Sequence, residues 1–286
     1  MDSLFKTLQD TYPGLPKTKK KIARYFLENY KEIPFRTVTE LAEELDISDT
    51  SIVKYCKQLG FNGYGDFRHA VSNYVMTETS WGKRLEQHID EMKGRDVYTQ
   101  VFQNVQNNVI ATFQNDQNIS NFSLLIDEIL RADGIYIIGY RSSAILARYL
   151  SRALGEQGFR TVPLTPENCD VRIVAARIKP GDLLISFSFA RYAQDTIDVI
   201  TRVTEKGVKH IAFTDTPLSP AARHADRCFI ISNTSFHNTP SLSGAISFID
   251  AILAETAQRD PDRARTRMKE VEEFFGGRDM YSSIKK

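Results

Sequence analysis

Apolar residues recur every three or four positions along the first part of the chain, which is the repeat of an amphipathic helix. One run of this kind covers residues 17–29, and a second covers 38–45. Thr37 and Glu40 stand at the start of the second run with the spacing of a capping box, in which each side chain accepts a hydrogen bond from the other residue's backbone N–H. The pattern therefore predicts two helices, the second with a defined first residue.

A third helical run follows closely. Ser48 is suited to the N-cap, and the apolar face behind it ends at Leu59. Gly60 is placed to adopt the left-handed conformation that ends many helices, and a fourth run covers 64–75. Two short helices joined by about three residues, the second of them well capped, are typical of a helix-turn-helix. A plain helical bundle with a solvated face is the alternative interpretation of the same spacing.

In a helix-turn-helix, the second helix exposes short polar and basic side chains near its N-terminus, because these enter the major groove of DNA. The positions predicted to be exposed are Asp49, Thr50, Ser51, Lys54 and Tyr55. The side chain of Lys54 can donate to guanine O6 and N7, and further bases cluster at 17–24. The residues predicted to contact DNA are Lys19, Lys20, Ser48, Thr50, Ser51, Lys54, Tyr55 and Lys57.

This first part of the sequence resembles the N-terminal domain of the RpiR/MurR family of bacterial regulators. The similarity covers Leu15 to Val75 and includes the stretches KKIARYFLENY and TVTELAEELDISDTSIVKYCKQLGFNGYGDFR. The resemblance implies that Ser48 to Gly60 is a recognition helix and that the protein binds double-stranded DNA. Lys54 stands where the family often has Arg. A single ammonium charge therefore replaces a guanidinium group that can donate two parallel hydrogen bonds.

The composition narrows the class of protein without choosing a partner. The chain has 286 residues, a hydrophobic fraction of 42% and a net charge of +1, so its overall charge gives no reason to expect nucleic acid. It has neither an apolar run long enough to cross a bilayer nor a leader-like apolar stretch near Met1. Cys56, Cys169 and Cys228 are too widely spaced for a metal knuckle and are expected to be reduced core residues. We expect a cytoplasmic protein with no metal and no cofactor.

A polar segment connects the two halves of the chain. Residues 77–94 are rich in charge and contain Trp81, the only tryptophan, which is predicted either to pack at a domain or subunit junction or to stay partly exposed. Val97, Val101 and further valines up to Ile110 then follow a helical repeat. The helix that they form is expected to pack against the second domain.

In the second half, short β-rich runs alternate with helical patterns. Strands are predicted at 135–138, 161–164, from 183, at 210–213 and at 229–231, with helices at 142–156, 167–177, 195–206 and 241–257. This alternation predicts an α/β domain with a five-stranded parallel, doubly wound sheet. If the strand order is 2-1-3-4-5, ligands are expected where the winding direction reverses, beyond the ends of the first and third strands.

Hydroxyl groups and arginines follow both of those strands. The first loop reads GYRSS at 139–143, and the second reads SFSFARY at 186–192. Free N–H groups of helix starts, hydroxyls and guanidinium groups together favour an anion. The alternative is that the serines only cap helices and the arginines reach into solvent. The predicted effector-binding residues are Arg141, Ser142, Ser143, Ser186, Ser188, Arg191 and Thr214.

This half resembles the SIS (sugar isomerase) domain, which follows the same helix-turn-helix in the RpiR/MurR family. The resemblance implies that Ser143, Ser186 and Ser188 match the hydroxyls that hold the phosphate of a phosphosugar. Arg141, Phe189 and Arg191 depart from the family pattern, which has Gly, Gly and Thr there, so a carboxylate is a candidate beside a phosphate. A sugar acid, another phosphorylated metabolite and no ligand remain open besides a phosphosugar.

The sequence predicts a metabolite-sensing transcriptional regulator. The expected domains are a helix-turn-helix domain at 1–77, a linker and connecting helix at 78–115, an SIS-like effector domain at 116–262 and a helical tail at 263–286. The resemblance implies a homodimer, or a homotetramer, that reads a near-palindromic operator.

An enzyme is the weaker interpretation, because neither serine loop carries Glu or His and only His224 and His237 could approach from later loops. Two further interpretations stay open at this point. One is an SIS-type sugar-phosphate binding or isomerase protein without a gene-regulatory role, and the second is a protein whose helices bind a partner different from DNA.

Overall fold

The computed structural model divides the chain into two compact units, Met1–Lys93 and Gly94–Lys286. Each unit has its own hydrophobic core. Within the described part of the chain, no helix has both the length and the apolar character needed to cross a membrane. Trp81 lies outside the described residues, which are 8, 11–30, 32–78, 86, 89–90, 92–237 and 239–274.

The first unit contains the four helices that the apolar pattern predicts. They are α1 (Lys17–Glu28), α2 (Val38–Leu45), α3 (Asp49–Gln58) and α4 (Tyr64–Glu78). Phe26 of α1 is fully buried, and its ring stacks on Phe67 of α4 with the centroids 4.3 Å apart. Tyr55 of α3 also stacks on Phe26, with the centroids 6.2 Å apart. These rings hold α3 against the rest of the unit.

Local chemistry sets the ends of α2 and α3. The Glu40 N–H donates to Thr37 Oγ1 at 3.2 Å and the Thr37 N–H donates to Glu40 Oε2 at 2.7 Å, so the predicted capping box is present. Gly60 follows α3 with φ of 94°, and the Phe61 N–H donates to the Cys56 carbonyl at 3.1 Å. Gly60 thus has the left-handed conformation that the sequence predicts, within a Schellman motif, and the positive φ favours glycine at this position.

The second unit is a doubly wound α/β fold. Its strands are β1 (Ile135–Gly139), β2 (Thr161–Leu164), β3 (Leu183–Phe187), β4 (Lys209–Thr214) and β5 (Arg227–Ile230). Its helices are α5 (Val97–Phe113), α6 (Asp116–Arg131), α7 (Ser142–Glu156), α8 (Val171–Ala175), α9 (Gln194–Thr204), α10 (Ser243–Arg259) and α11 (Pro261–Phe274). The sheet has the order β2-β1-β3-β4-β5 with parallel neighbours throughout, which confirms the predicted fold class. The helix predicted at 167–177 is shorter than expected and corresponds to α8 alone.

Side chains of the sheet alternate between two apolar layers. Along β3, Ile185 and Phe187 belong to one layer and Leu184 to the other. In the first layer, Phe187 stacks on Phe213 of β4 with the centroids 4.9 Å apart. Because both faces are covered, as a parallel sheet requires, polar groups that serve a ligand are confined to the loops at the strand ends.

The helix α5 does pack within the second unit, as predicted, and its fully buried side chains, Asn108 and Thr112, are polar. Asn108 is fully buried; it donates to the Thr234 carbonyl at 2.8 Å and accepts from the Thr234 N–H at 3.1 Å. The valines of the predicted helical repeat have unequal exposure: Val97 and Val101 are 54% and 42% exposed, whereas Val105 and Val109 are half-buried. The loop after β5 presents backbone groups that an amide side chain satisfies and a valine does not.

Candidate functional site

The exposed side of α3 carries three of the eight residues predicted to contact DNA. Thr50, Lys54 and Lys57 are exposed and fall at helical spacing, so they share one side of the helix. Ser48 is exposed at the N-cap, although its hydroxyl pairs with Ser51 Oγ at 2.9 Å instead of capping a backbone N–H. Their contacts with DNA stay a prediction, and the structure supplies the accessibility that such contacts require.

Tyr55 contradicts its predicted exposure. It is 1% exposed and packs in the core of the first unit, and burial raises its pKa to about 12. Its hydroxyl finds no hydrogen-bond partner among the described residues. Tyr55 is therefore a core residue that fixes α3, and a direct contact with DNA is excluded in this conformation.

The two lysines of α1 face different surroundings. Lys19 Nζ donates to Gln58 Oε1, which places this charge beside the C-terminal end of α3. Lys20 Nζ lies 5.9 Å from the ring centre of Tyr12 and lines a groove with further bases of α1. Lys19 is thus next to the candidate reading helix, whereas Lys20 contributes positive charge to the neighbouring groove.

In the second unit, the loops that follow β1 and β3 enclose a small pocket of about 40 Å³. Tyr140 and the first turn of α7 form one wall, the loop after β3 forms another, and Pro240 comes from the approach to α10. This is the place predicted from the reversal of strand order. The predicted residues that line it are Arg141, Ser142, Ser143, Ser188 and Arg191.

Hydrogen-bond donors from several elements face this pocket. Ser188 is 4% exposed, and its Oγ has no hydrogen-bond partner in the described structure. The helices α7 and α9 both begin at the pocket, at Ser142 and next to Ala193, and no side chain caps either start. The positive ends of two helix dipoles and a buried hydroxyl therefore converge on one small volume.

Backbone strain marks both loops. Arg141 has φ of 58° and Arg191 has φ of 65°, a region in which residues other than glycine are uncommon. Such conformations cost about 1–3 kcal/mol each and persist where the surroundings fix them, often at ligand sites. Gly139, at the end of β1, explains how the first loop fits, because a Cβ there would lie 2.4 Å from the Ser143 carbonyl oxygen.

Ser186 and Thr214, both predicted to bind the effector, are not among the residues that line the pocket. Ser186 is fully buried within β3, and its hydroxyl lies 2.9 Å from His210 Nε2. Thr214 ends β4 and donates to Asp215 Oδ1 at 3.2 Å. The prediction failed for Ser186 because strand β3 extends to Phe187, so alternation turns Ser186 toward the layer opposite to Phe187.

His210 has a structural environment. Its Nδ1 lies 3.0 Å from the His224 carbonyl, so Nδ1 carries the hydrogen and Nε2 accepts from Ser186. Burial lowers the pKa of His210 to about 4, which keeps the ring neutral near neutral pH. His224 and His237, the histidines considered as acids or bases, are not among the described residues that line the pocket.

A larger cavity of about 700 Å³ lies beside the pocket and shares Tyr140 with it. Its bases, Arg172, Arg202 and Lys206, are matched in number by the acids Asp195, Asp198 and Glu205. Arg172 and Asp195 form an ion pair at 3.2 Å. This balance gives the larger cavity no excess of positive charge that would favour an anion.

The chain combines a helix-turn-helix unit with a doubly wound unit that has a pocket at its strand ends. This combination is typical of transcriptional regulators that carry an SIS domain. The model of the helix-turn-helix domain of the rpiR family matches residues 3–78, and the SIS domain model matches residues 128–254. The SIS domain of an RpiR transcription factor from Sphaerobacter thermophilus is 33% identical, with a TM-score of 0.59, over 62% of this chain and 98% of that chain. The chain belongs to the RpiR family of helix-turn-helix transcriptional regulators.

Full-length relatives agree with this assignment. The Escherichia coli K12 regulator RpiR is 24% identical over 92% of this chain and 90% of its own length. The Pseudomonas aeruginosa regulator HexR is 22% identical over 81% of this chain and 79% of its own length. The Vibrio vulnificus NanR protein, solved in complex with ManNAc-6P, shares the fold, with a TM-score of 0.66 at 20% identity over 96% of this chain and 98% of that chain.

Proposed function

We propose that this regulator reads DNA with α3 and that an anionic metabolite, a phosphosugar or a sugar acid, binds in the pocket between the ends of β1 and β3. One observation carries the ligand half of the proposal. The Ser188 hydroxyl is buried without a partner among the described residues, at the point where two uncapped helix starts converge. Leaving a buried hydroxyl unpaired costs about 1–3 kcal/mol, and an anionic oxygen would remove that cost.

The proposed contacts have separate roles. The Ser143 N–H already donates to the Tyr140 carbonyl at 3.1 Å and the Thr196 N–H to the Ala193 carbonyl at 3.0 Å. The N–H groups of Ser142 and Gln194, which begin α7 and α9, and the hydroxyls of Ser143 and Ser188 hold a phosphate or carboxylate head. Arg141 and Arg191 add positive charge on the two loops that form the walls. The NanR protein of Vibrio vulnificus, which shares the fold, was solved with the phosphosugar ManNAc-6P, and this supports a phosphosugar as the ligand class.

The lining of the pocket favours binding over catalysis. Sugar-phosphate isomerisation needs a general acid and base within reach of the carbon skeleton. The described residues that line the pocket include neither a carboxylate nor a histidine. Together with relatives that are named transcriptional regulators, this supports a sensor in which the ligand is bound and not converted.

We also propose that a second copy of the chain covers the apolar side of α5. Tyr98 is 83% exposed and Phe102 is 55% exposed, and Ile110 on the same helix is 50% exposed. Several large apolar side chains exposed on one helix favour an association site. A symmetric pair would present two copies of α3 to a near-palindromic DNA site.

A ligand screen on the full chain tests the sensor half. Thermal unfolding is followed with phosphosugars, sugar acids and their uncharged parent sugars. A compound that binds the native state raises the unfolding midpoint. At a hundred times its Kd, it raises the free energy of unfolding by about 2.7 kcal/mol. We expect at least one anionic compound to do so while its uncharged parent does not.

Two serine variants locate the site. Ser188→Ala removes an unpaired hydroxyl, so the ligand-free protein should unfold at the same temperature or higher, while ligand affinity falls about tenfold or more. Ser186→Ala is the matched control, since it removes a buried hydroxyl that does have a partner. It should lower stability and leave ligand affinity unchanged. A ligand that binds Ser188→Ala as tightly as the parent protein would place the site elsewhere.

A further inference from the structure

The loop after β3 is fastened to the residue that follows β4. Tyr192 donates from its hydroxyl to Asp215 Oδ1 at 2.8 Å, and the Ala190 N–H donates to Asp215 Oδ2 at 3.2 Å. Ala190 and Tyr192 are the immediate neighbours of Arg191 in the chain. The two oxygens of one carboxylate thus hold the chain on both sides of Arg191.

This arrangement accounts for the conformation of Arg191. A φ of 65° is unfavourable for an arginine and needs surroundings that impose it. The Ser188 N–H also donates to the Phe213 carbonyl at 3.0 Å, so the start of the loop is tied to β4 as well. Because the loop is attached at its start to Phe213 of β4 and near its end to Asp215, the backbone at Arg191 has little freedom to relax.

Asp215 itself is not among the described residues that line the pocket. Its Oδ1 accepts from Thr214 Oγ1 at 3.2 Å in addition to Tyr192, so three donors surround the carboxylate. Burial raises the pKa of Asp215, and burial together with the carboxylate raises the pKa of Tyr192. The tyrosine therefore stays protonated and keeps its donor role near neutral pH.

We propose that Asp215 is a positioning residue, which holds Arg191 at the pocket in the conformation that meets the anion. This rests on the proposed function, because the anion pocket is its premise. Asp215 acts through the loop and touches no ligand. Ligand affinity therefore depends on the Tyr192–Asp215 hydrogen bond only as long as Arg191 is present.

A double-mutant cycle with inorganic phosphate tests this dependence. Phosphate binding to the full chain is measured by titration in the parent protein, Tyr192→Phe, Arg191→Ala and the double variant. Tyr192→Phe alone should weaken phosphate binding about tenfold, the effect of one hydrogen bond to a charged group. In the Arg191→Ala background the same change should alter affinity by less than about twofold. Where Arg191→Ala leaves no measurable phosphate binding, the anion from the screen that binds the parent protein most tightly replaces phosphate in all four titrations.

Tyr149→Phe is the matched control. It removes another tyrosine–aspartate hydrogen bond of the second unit, from the Tyr149 hydroxyl to Asp250 Oδ1 at 2.9 Å, and Tyr149 does not line the pocket. Phosphate affinity should not change. Thermal unfolding of every variant shows whether it folds. If Tyr192→Phe does not fold, Asp215→Asn, which keeps one acceptor oxygen, replaces it in the cycle.

The outcomes separate the two proposals. If neither phosphate nor any screened anion binds the parent protein, the proposed function is overturned, and this inference with it. Phosphate binding that Tyr192→Phe leaves intact would overturn the positioning role alone. An equal loss in both backgrounds would do the same, because Tyr192 would then act independently of Arg191.

Discussion

Lys54 and Tyr55 are neighbours in the chain but lie in opposite surroundings. Lys54 is exposed on the side of α3 that carries Thr50, whereas Tyr55 is 1% exposed in the core. A side chain that contacts a base must be exposed, as Lys54 is. The Tyr55 hydroxyl is instead buried in the core, where it has no partner among the described residues. Substitutions at these two positions therefore separate reading DNA from holding the reading helix in place.

We expect Lys54→Ala to weaken specific DNA binding by about 1–3 kcal/mol, the loss of one base contact. Tyr55→Phe should leave DNA affinity unchanged and should unfold at the same temperature or higher, because it removes an unpaired buried hydroxyl. Binding is measured at fixed salt on the duplex that the protein selects from a random pool. If Lys54→Ala bound this duplex with parent affinity, Lys54 would not be a base-reading residue.

Among the three side chains that the sequence misplaced, Tyr55, Ser186 and Thr214, the sequence did contain a signal for Tyr55. Tyr55 follows Ile52 by three positions and precedes Leu59 by four, which is the spacing of a buried helical face. Ser186 and Ser188 are two positions apart, so in an extended strand their side chains would point to the same face. Only the position at which the strand ends decides which of them lies in the loop. Strand ends depend on pairing with neighbours, here Ser186 with Ala212, and local sequence does not specify that register.

At the scale of elements, the order of helices and strands could be predicted, but the packing face of α5 could not. The parallel sheet followed from the alternation of β-rich and helical runs, and helix ends followed from Thr37, Glu40 and Gly60. The partner of Asn108 is a loop at Ser232 and Thr234, more than a hundred residues away. Nothing near Asn108 in the sequence indicates that these groups need an amide.

The chain offers a direct comparison on α5. Asn108→Ala removes an acceptor from the Ser232 hydroxyl and the Thr234 N–H and should lower the free energy of unfolding by roughly 2–3 kcal/mol. Asn107 is exposed on the same helix, and Asn107→Ala should change that free energy by less than about 0.5 kcal/mol. Urea unfolding measures both. Equal effects would mean that Asn108 is not the residue that fixes α5 against the loop.

At the scale of the whole molecule, the proposed regulator has two ligands on two compact units, which makes sensing a question of linkage. A metabolite changes the affinity for DNA only if it binds the DNA-competent arrangement with a different affinity from the other arrangement. The same free energy must then appear when DNA is added first, because the cycle closes. Tight binding in the pocket alone would therefore not establish a sensor.

We expect DNA to change the affinity for the anion by the same factor by which the anion changes the affinity for DNA. The Kd of the anion found in the screen is measured with and without saturating DNA, and the Kd of DNA is measured with and without saturating anion. Both ratios should agree and correspond to about 1–3 kcal/mol, or roughly 5–150-fold. A scrambled duplex and Ser188→Ala serve as controls, and each should reduce the coupling. Equal anion affinity for free and DNA-bound protein would show that the pocket binds without regulating.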